Sequence, residues 1–510
     1  MRDRLKNICN ILIITTSLGL EAACGGGSSS DAPTTQTAYS ITADFTRVDQ
    51  IGFSPISVRA YLKDQSGAAI SGKTLSLTIP QGVASPITNN GDGSYSFTVT
   101  PSSSGSYPIQ IQYGGATYSR KAVVTRTVAV GSGISQPLEV PGDMINTDGY
   151  QDGITITPDG NYLFMQYGPI YFSGLASVGT ICHSASYSLY DILGCGPKAD
   201  SGFVFNTIGP YNDASRPRFP TGNISGGHLV PTSLYVSGVT NGLPVFPTVF
   251  YGFKREADGT FGEPFKVAFN DVRGLQGPFG LSFQMTSATT ANFLVAWNNP
   301  FNDIGGDGKP DIYQGTLTLG QDKNLGDVVY SGESYASIAP YITPVTFASH
   351  AGVQGNPHLY YDTSGAVRSI WTDDEQVSHN ISVYVLTSGA FPTGTWNLVT
   401  LPSVINTSAS ESQPFFTGQR LYFTRDNKIV YHQYLGSGGN DYGLNSSWGP
   451  EHVLLVTGDT AIGTLFGFGE PTIGTYGGKT YLYFAMVKVR SQSPSGLFGY
   501  NLAAGYVEIH

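Results

Sequence analysis

Glu411-Ser412-Gln413-Pro414-Phe415-Phe416, then a turn and Gln419-Arg420-Leu421-Tyr422-Phe423, is the stretch on which the fold turns. A polar residue and Pro open it, a short strand ends in aromatics, and a second aromatic strand follows the reversal. Glu470-Pro471-Thr472-Ile473 with Thr480-Tyr481-Leu482-Tyr483-Phe484 repeats the order. So does Asp152-Gly153-Ile154-Thr155-Ile156 followed by Thr157-Pro158-Asp159-Gly160-Asn161-Tyr162-Leu163-Phe164. Asn356-Pro357-His358-Leu359-Tyr360 with Ser369-Ile370-Trp371 is a looser copy, and others begin near His228 and Phe279. Outer strands follow several copies, as in Trp396-Asn397-Leu398-Val399 and Trp448-Gly449-Pro450-Glu451. A unit of three or four short strands cannot bury its faces alone. Radial stacking buries each flat face against a neighbour and leaves few open edges. Residues 131–510 therefore read as a β-propeller, with six blades favoured by the count of copies and five blades with an insertion as the alternative.

Bulk composition points the same way. Charged residues are 12% of the 510, about half the roughly 25% usual in soluble domains. Polarity comes instead from uncharged side chains, with 65 Gly for turns and 31 Tyr for strands, as exposed antiparallel sheets require. The fold class is all-β. A net charge of −10 and a pI near 5.2 exclude a phosphate-backbone partner, which calls for a basic surface. No nucleic acid is expected.

Residues 38–130 alternate apolar and polar with period two, the mark of half-buried strands. Ile56–Leu62, Leu75–Ile79 and Tyr95–Val99 are such strands, with Tyr107–Tyr113 and Lys121–Val128 completing about seven, the complement of an immunoglobulin-like sandwich. Asn89-Asn90-Gly91-Asp92-Gly93 supplies residues that tolerate positive φ for a tight reversal. Leu62-Lys63-Asp64-Gln65-Ser66-Gly67, Ile70-Ser71-Gly72-Lys73 and Asn90-Gly91-Asp92-Gly93-Ser94-Tyr95 resemble the immunoglobulin-like repeats of invasin-type surface proteins. That resemblance implies a stalk carrying the next domain.

Before the sandwich, Arg2, Arg4 and Lys6 precede an apolar run from Ile8 to Leu20. The run is too short for the roughly 20 residues that span a bilayer, so residues 1–24 read as a signal peptide. Ala22-Ala23-Cys24 followed by Gly25-Gly26-Gly27-Ser28-Ser29-Ser30 resembles a bacterial lipoprotein cleavage site, although Glu21 stands where that family has an apolar residue. The resemblance implies lipidation at Cys24, a flexible tether over residues 25–37, and a protein exported to the envelope, at the outer membrane or cell surface. The lipid is then its one membrane contact. Cys182 and Cys195 share one loop and are expected to form a disulfide in that oxidising compartment.

Thr157-Pro158-Asp159-Gly160 and Pro310-Asp311-Ile312-Tyr313 resemble blade motifs of TolB-like propellers. Propeller ligands sit at the axial funnel, on loops entering the innermost strands, and Asp152, Glu411 and Glu470 hold those entries here. Converging carboxylates serve glycoside hydrolysis, as in five-bladed glycosidases of the arabinanase type. Acids recurring at one place in successive blades also serve to bind backbone amides between blades. Asn302 to Asp311 resembles a calcium loop, with Asp303, Asp307 and Asp311 as its carboxylates and Gly305 where a further ligand belongs. Ca2+ is the one possible cofactor; the alternative is an acidic hairpin. Asp373-Asp374-Glu375 reads as a solvated turn. Function narrows to three expectations: an envelope-anchored propeller binding a protein or glycan, a glycoside hydrolase using the funnel acids, or an envelope-assembly factor.

Overall fold

The computed structural model describes residues 38–45, 49–125, 127–129, 131, 134–142, 145–146, 150–168, 224–225, 228–229, 249–271, 278–297, 310–331, 334–349, 352–374, 380–457, 467–489 and 500–510. Among them every regular element is a strand or a short 3-10 turn. Cys24, Cys182, Cys195, Asp303 and Asp307 lie outside the described residues, as do the leader and tether.

The first domain is a two-sheet sandwich. One sheet runs Tyr39–Phe45, Ile56–Asp64, Ser94–Pro101, Gly82–Ala84, with Thr88–Asn89 also on Ser94–Pro101. The other runs Asp49–Ile51, Ala116–Thr125, Gly105–Tyr113, Ser76–Thr78. Period-two patterning is realised side chain by side chain: Ile56, Val58, Ala60 and Leu62 are buried, while Ser57 and Arg59 are exposed. They meet Tyr107, Ile109 and Ile111 of the facing sheet in one apolar core.

The second domain is a propeller of five blades, the smaller of the two counts the sequence left open. Its inner strands are Tyr150–Ile156, Phe279–Met285, Gln354–Tyr361, Glu411–Phe416 and Phe468–Tyr476, each opening a sheet by antiparallel pairing with the next strand; in blade 1, Phe261–Asp271 further pairs parallel with Lys323–Ser331. These inner strands contact one another in chain order, and the fifth contacts the first, which closes the ring. Of the sixth copy expected near His228, the described residues show His228–Leu229 paired with Ile224–Ser225, and among the described residues no sixth inner strand joins the ring. Five apolar cores fill the five gaps between blades. Phe164 and Phe283 meet between blades 1 and 2 with ring centroids 4.4 Å apart. Leu294 and Leu359 lie between blades 2 and 3, and Trp371 and Phe416 between 3 and 4. Ile429 and Phe484 join 4 to 5, and Tyr483 and Ile154 join 5 to 1. Burying one such side chain contributes roughly 1.5–3 kcal/mol, so the recurring aromatics belong first to this packing. The Thr157–Asn161 turn shows why Gly is needed at one point: Gly160 has φ +71°, and a Cβ there would lie 2.3 Å from the Thr475 carbonyl of blade 5.

The domain boundary differs slightly from the composition break at 130. Thr127–Ala129 already pairs with the outermost strand of blade 4, and Leu138–Glu139 pairs with the last strand of blade 5. The connection from the sandwich is thus woven into the propeller. Ile51 of the sandwich is buried in the blade 4–blade 5 core. Its amide donates to Glu139 Oε1 at 2.9 Å, and Lys488 Nζ of blade 5 reaches the same oxygen at 3.1 Å. The sandwich is therefore seated on blades 4 and 5 rather than strung from them.

Candidate functional site at the propeller axis

The five inner strands share one local device. Near the mouth end of each, a single residue takes positive φ: Gly153 (61°), Gly280 (61°), Asn356 (42°), Gln413 (57°) and Glu470 (56°). At each of these points the pairing with the second strand slips, as at a β-bulge. Three of the five are non-glycine residues before Pro, an arrangement whose backbone strain is of order 1–3 kcal/mol apiece. Bonds from the neighbouring blade hold them there. Gln413 N donates to Asp373 Oδ1 of blade 3. Glu470 N donates to Gln413 Oε1 at 2.9 Å, and Ile154 N donates to Glu470 Oε2 at 2.9 Å. The repeated "polar residue then Pro" of the sequence is this bulge, and its polar side chains stitch blade to blade.

A second tier of bridges lies deeper along the axis. Ile156 N donates to Thr472 Oγ1 at 3.4 Å, Thr155 Oγ1 to the Leu281 carbonyl at 2.8 Å, and Leu359 N to Ser282 Oγ at 2.9 Å. His358 Nε2 donates to the Phe416 carbonyl at 2.8 Å, which leaves Nδ1 as the acceptor facing Ser282 Oγ at 3.5 Å. Burial lowers the His358 pKa to about 4, so its ring is neutral. Between the two tiers runs an axial cavity of about 250 Å³, lined by all five inner strands. Glu470, Asn356, Gln413, Ile154, Phe415 and Tyr361 are among its lining residues.

Of the three funnel acids expected from the sequence, the fold brings two together. The carboxyls of Asp152 and Glu470 lie within hydrogen-bonding reach of each other. Burial raises both above the ordinary carboxylate range, and for Glu470 the adjacent Asp152 charge adds to it; the amides of Gly153 and Ile154 act in the opposite sense. Two buried carboxyls that act on each other titrate as a pair, and both lie above the ordinary range.

Glu411 does not join them. It is fully buried, and its carboxylate is held by Arg425 Nε at 3.0 Å, by Thr407 N at 3.2 Å and by the Thr407 hydroxyl. Arg425 continues to Glu451 and to the carbonyls of Val404 and Ile405. That acid anchors the loop entering blade 4 and is not among the residues lining the axial cavity. Asp311 begins the third strand of blade 2 opposite Trp297 and is buried. No cluster of three or more metal-ligating side chains occurs among the described residues. Asp373 was read as part of a solvated turn. It ends the second strand of blade 3 instead, accepting Asn356 Nδ2 at 2.7 Å as well as Gln413 N. Sequence reading missed Asn356, Gln413 and Asp373 as mouth residues. The residue before each blade-opening Pro was the signal that marks the first two.

The molecule is thus a two-domain all-β protein, a sandwich followed by a five-bladed propeller with an acid pair at its axis. Residues 35–130 match the family model described as Invasin, domain 3. No curated protein sequence matches the chain. Among solved structures, the propeller enzymes it resembles include the GH43_1 enzyme of Xanthomonas citri, at 7% identity and TM-score 0.35, over 72% of this chain and 91% of that one. Others are the Cellvibrio cellulosa alpha-L-arabinanase complexed with arabinohexaose, at 14% identity and TM-score 0.29 over 52% and 87%, and the Trypanosoma rangeli sialidase with the inhibitor DANA, at 9% and 0.31 over 75% and 58%.

Proposed function

We propose that this chain is an envelope-tethered binding protein whose propeller holds a saccharide at the axial mouth, with Cys24 as the lipidated tether residue. The observation that carries the saccharide is one cavity offering carboxyl, amide and hydroxyl groups beside aromatic rings, with Glu470, Asn356, Gln413, Phe415 and Tyr361 on its wall. Polyhydroxylated ligands need that mixture of directional polar groups and flat apolar faces. Titration calorimetry of the mature chain against neutral oligosaccharides tests it. Binding is expected in the wild type and is lost at least tenfold in Asp152→Asn; no binding to any saccharide would discard the reading. The tether is tested separately by metabolic labelling with a fatty acid, which Cys24→Ser should abolish.

A second reading, glycoside hydrolysis, draws on one specific feature: Glu470 keeps its proton above the ordinary carboxylate range, as a general acid does. Against it stands the carboxyl contact with Asp152. Glycosidase pairs flank the scissile bond at about 5–5.5 Å or 6.5–9.5 Å, whereas Asp152 and Glu470 act on each other directly as a buried pair. Product release from any oligosaccharide by wild type, abolished in Glu470→Gln, would reverse the order of the two readings.

A further inference from the structure

All five inner strands line the axial cavity, and each brings the same two positions to it. The first is the positive-φ residue of the bulge: Gly153, Gly280, Asn356, Gln413 or Glu470. The second lies two residues further on: Thr155, Ser282, His358, Phe415 or Thr472. At the second position four of the five side chains bridge to the neighbouring blade. Thr155 Oγ1 and His358 Nε2 donate to the carbonyls of Leu281 and Phe416. Ser282 Oγ and Thr472 Oγ1 accept the amides of Leu359 and Ile156. Phe415 has no polar atom with which to do the same, so blade-to-blade bridging does not account for it. It packs in part against the core between blades 4 and 5. The half-buried ring lies on the cavity wall beside His358, with ring centroids 4.1 Å apart. The bulge residues of the same two blades keep hydrogen-bonding capacity. Asn356 Nδ2 donates to Asp373 Oδ2 at 2.7 Å, and Gln413 Oε1 accepts from Glu470 N at 2.9 Å and Thr424 Oγ1 at 2.8 Å. Among the described residues this leaves Asn356 Oδ1 and Gln413 Nε2 without a hydrogen bond, one acceptor and one donor from adjacent blades.

Walled by five strands, the cavity of about 250 Å³ is a shaft and not an open cleft. It is smaller than the roughly 300–1,000 Å³ of sites that take drug-sized ligands. A shaft of that size admits one sugar ring entering along the axis, whereas the interior of a chain cannot lie across it. We propose that the propeller reads the end of a glycan: a single terminal ring enters the shaft, lays its C–H face on Phe415, and presents neighbouring hydroxyls to Asn356 Oδ1 and Gln413 Nε2. This rests on the saccharide reading above and names the part of the saccharide that is bound. A pyranose carries a flat apolar face and a hydroxyl-bearing edge, and the wall offers a ring to the first and a paired donor and acceptor to the second.

Titration calorimetry of the mature chain tests it with linear oligosaccharides of glucose, xylose, mannose, galactose and arabinose, two to six units long, and with the methyl glycoside of each sugar. In every series that binds, the methyl glycoside is expected to bind as well, and affinity should change by less than about threefold from two units to six. Phe415→Leu keeps an apolar side chain in place without the flat face, and is expected to lose about tenfold. Phe415→Tyr keeps the ring and should stay within about threefold of wild type. Affinity that climbs with each added unit, or Phe415→Leu binding as wild type does, overturns the proposal and leaves the saccharide reading standing. Wild type that binds nothing in the panel fails the saccharide reading itself. Melting curves of each variant separate loss of binding from loss of fold, and the chain-length series needs the wild type alone.

Discussion

Glu411 and Glu470 start from the same sequence pattern and reach opposite solutions to one electrostatic problem. Each is drawn in by the inner strand of its blade, and neither has bulk water to stabilise its charge. Glu411 is met by Arg425 and by two donors from Thr407. Glu470 is set instead against a second acid, Asp152, and burial together with that neighbouring charge raises its pKa. The first arrangement fixes one geometry and has no remaining capacity for a ligand. The second leaves Glu470 on the wall of the axial cavity. Repetition in a propeller therefore marks where a site can be, and departure from the repeat marks where it is.

Removing the cation from the first glutamate breaks the contrast most sharply. Arg425→Met leaves Glu411 buried without a counter-charge, for which about 3–5 kcal/mol of lost stability is expected. Urea unfolding reads it as a large drop in midpoint. Glu411→Gln, which leaves Arg425 with Glu451 and the Val404 and Ile405 carbonyls, should fall in the same direction by less. A variant of Arg425 as stable as wild type would show that Glu411 resides there as a neutral acid, and the distinction between the two blades would vanish.

Much of this arrangement was legible in the sequence, and the remainder was not for identifiable reasons. Period-two patterning in Ile56–Leu62 reports burial directly, because strand side chains alternate faces. The Pro-led aromatic repeats likewise report blades, because the ring can only be built from such units. Blade number was harder: blades 3, 4 and 5 begin at evenly spaced positions, Gln354, Glu411 and Phe468, but a long insertion separates Tyr162–Gly168 from Val249–Arg255 within blade 1. Composition inside an insertion can imitate a blade; only pairing excludes it. Among the acids, the sequence grouped Asp152, Glu411 and Glu470 at the blade entries and could not divide them; the structure gives the bulge position of Glu470 to Gln413 in blade 4. Arg425, fourteen residues after Glu411, reaches it only through the pairing of their strands at Glu411↔Arg425. Asp152 and Glu470 meet only because the ring closes.

Deeper along the axis, His358 gives the next largest effect, and one with a defined pH window. Its folded pKa of about 4 lies below the ordinary value near 6.5, so the native state binds the proton more weakly than the unfolded chain. Stability is then full above about 6.5, falls as pH drops toward 4, and levels off below; the span corresponds to ~3 kcal/mol at most. His358→Gln, which retains an amide donor for the Phe416 carbonyl, should flatten that slope while costing some stability at neutral pH. Thermal melts across pH 7 to 4 compare the two. An unchanged slope would move the acid sensitivity elsewhere and leave the second tier of bridges indifferent to protonation.

The smallest effect, Glu470→Gln, carries the opposite sign. A carboxyl whose folded pKa is raised binds its proton more tightly in the native state. It contributes most below the ordinary carboxylate range, and that contribution is lost as pH rises through the folded value. Glutamine has no such dependence and still accepts the Ile154 amide. Near pH 4 the two proteins should therefore melt together. As pH increases the variant should gain on wild type by about 1 kcal/mol, the scale of a single relieved buried interaction. Asp152→Asn should give the same trend, since either change removes one member of the buried pair, and the double variant should add little to either single one. Gains that summed in the double variant would mean that the two carboxyls titrate independently, each against its own surroundings. Glu470 would then be another stitch between blades, no different in kind from Gln413.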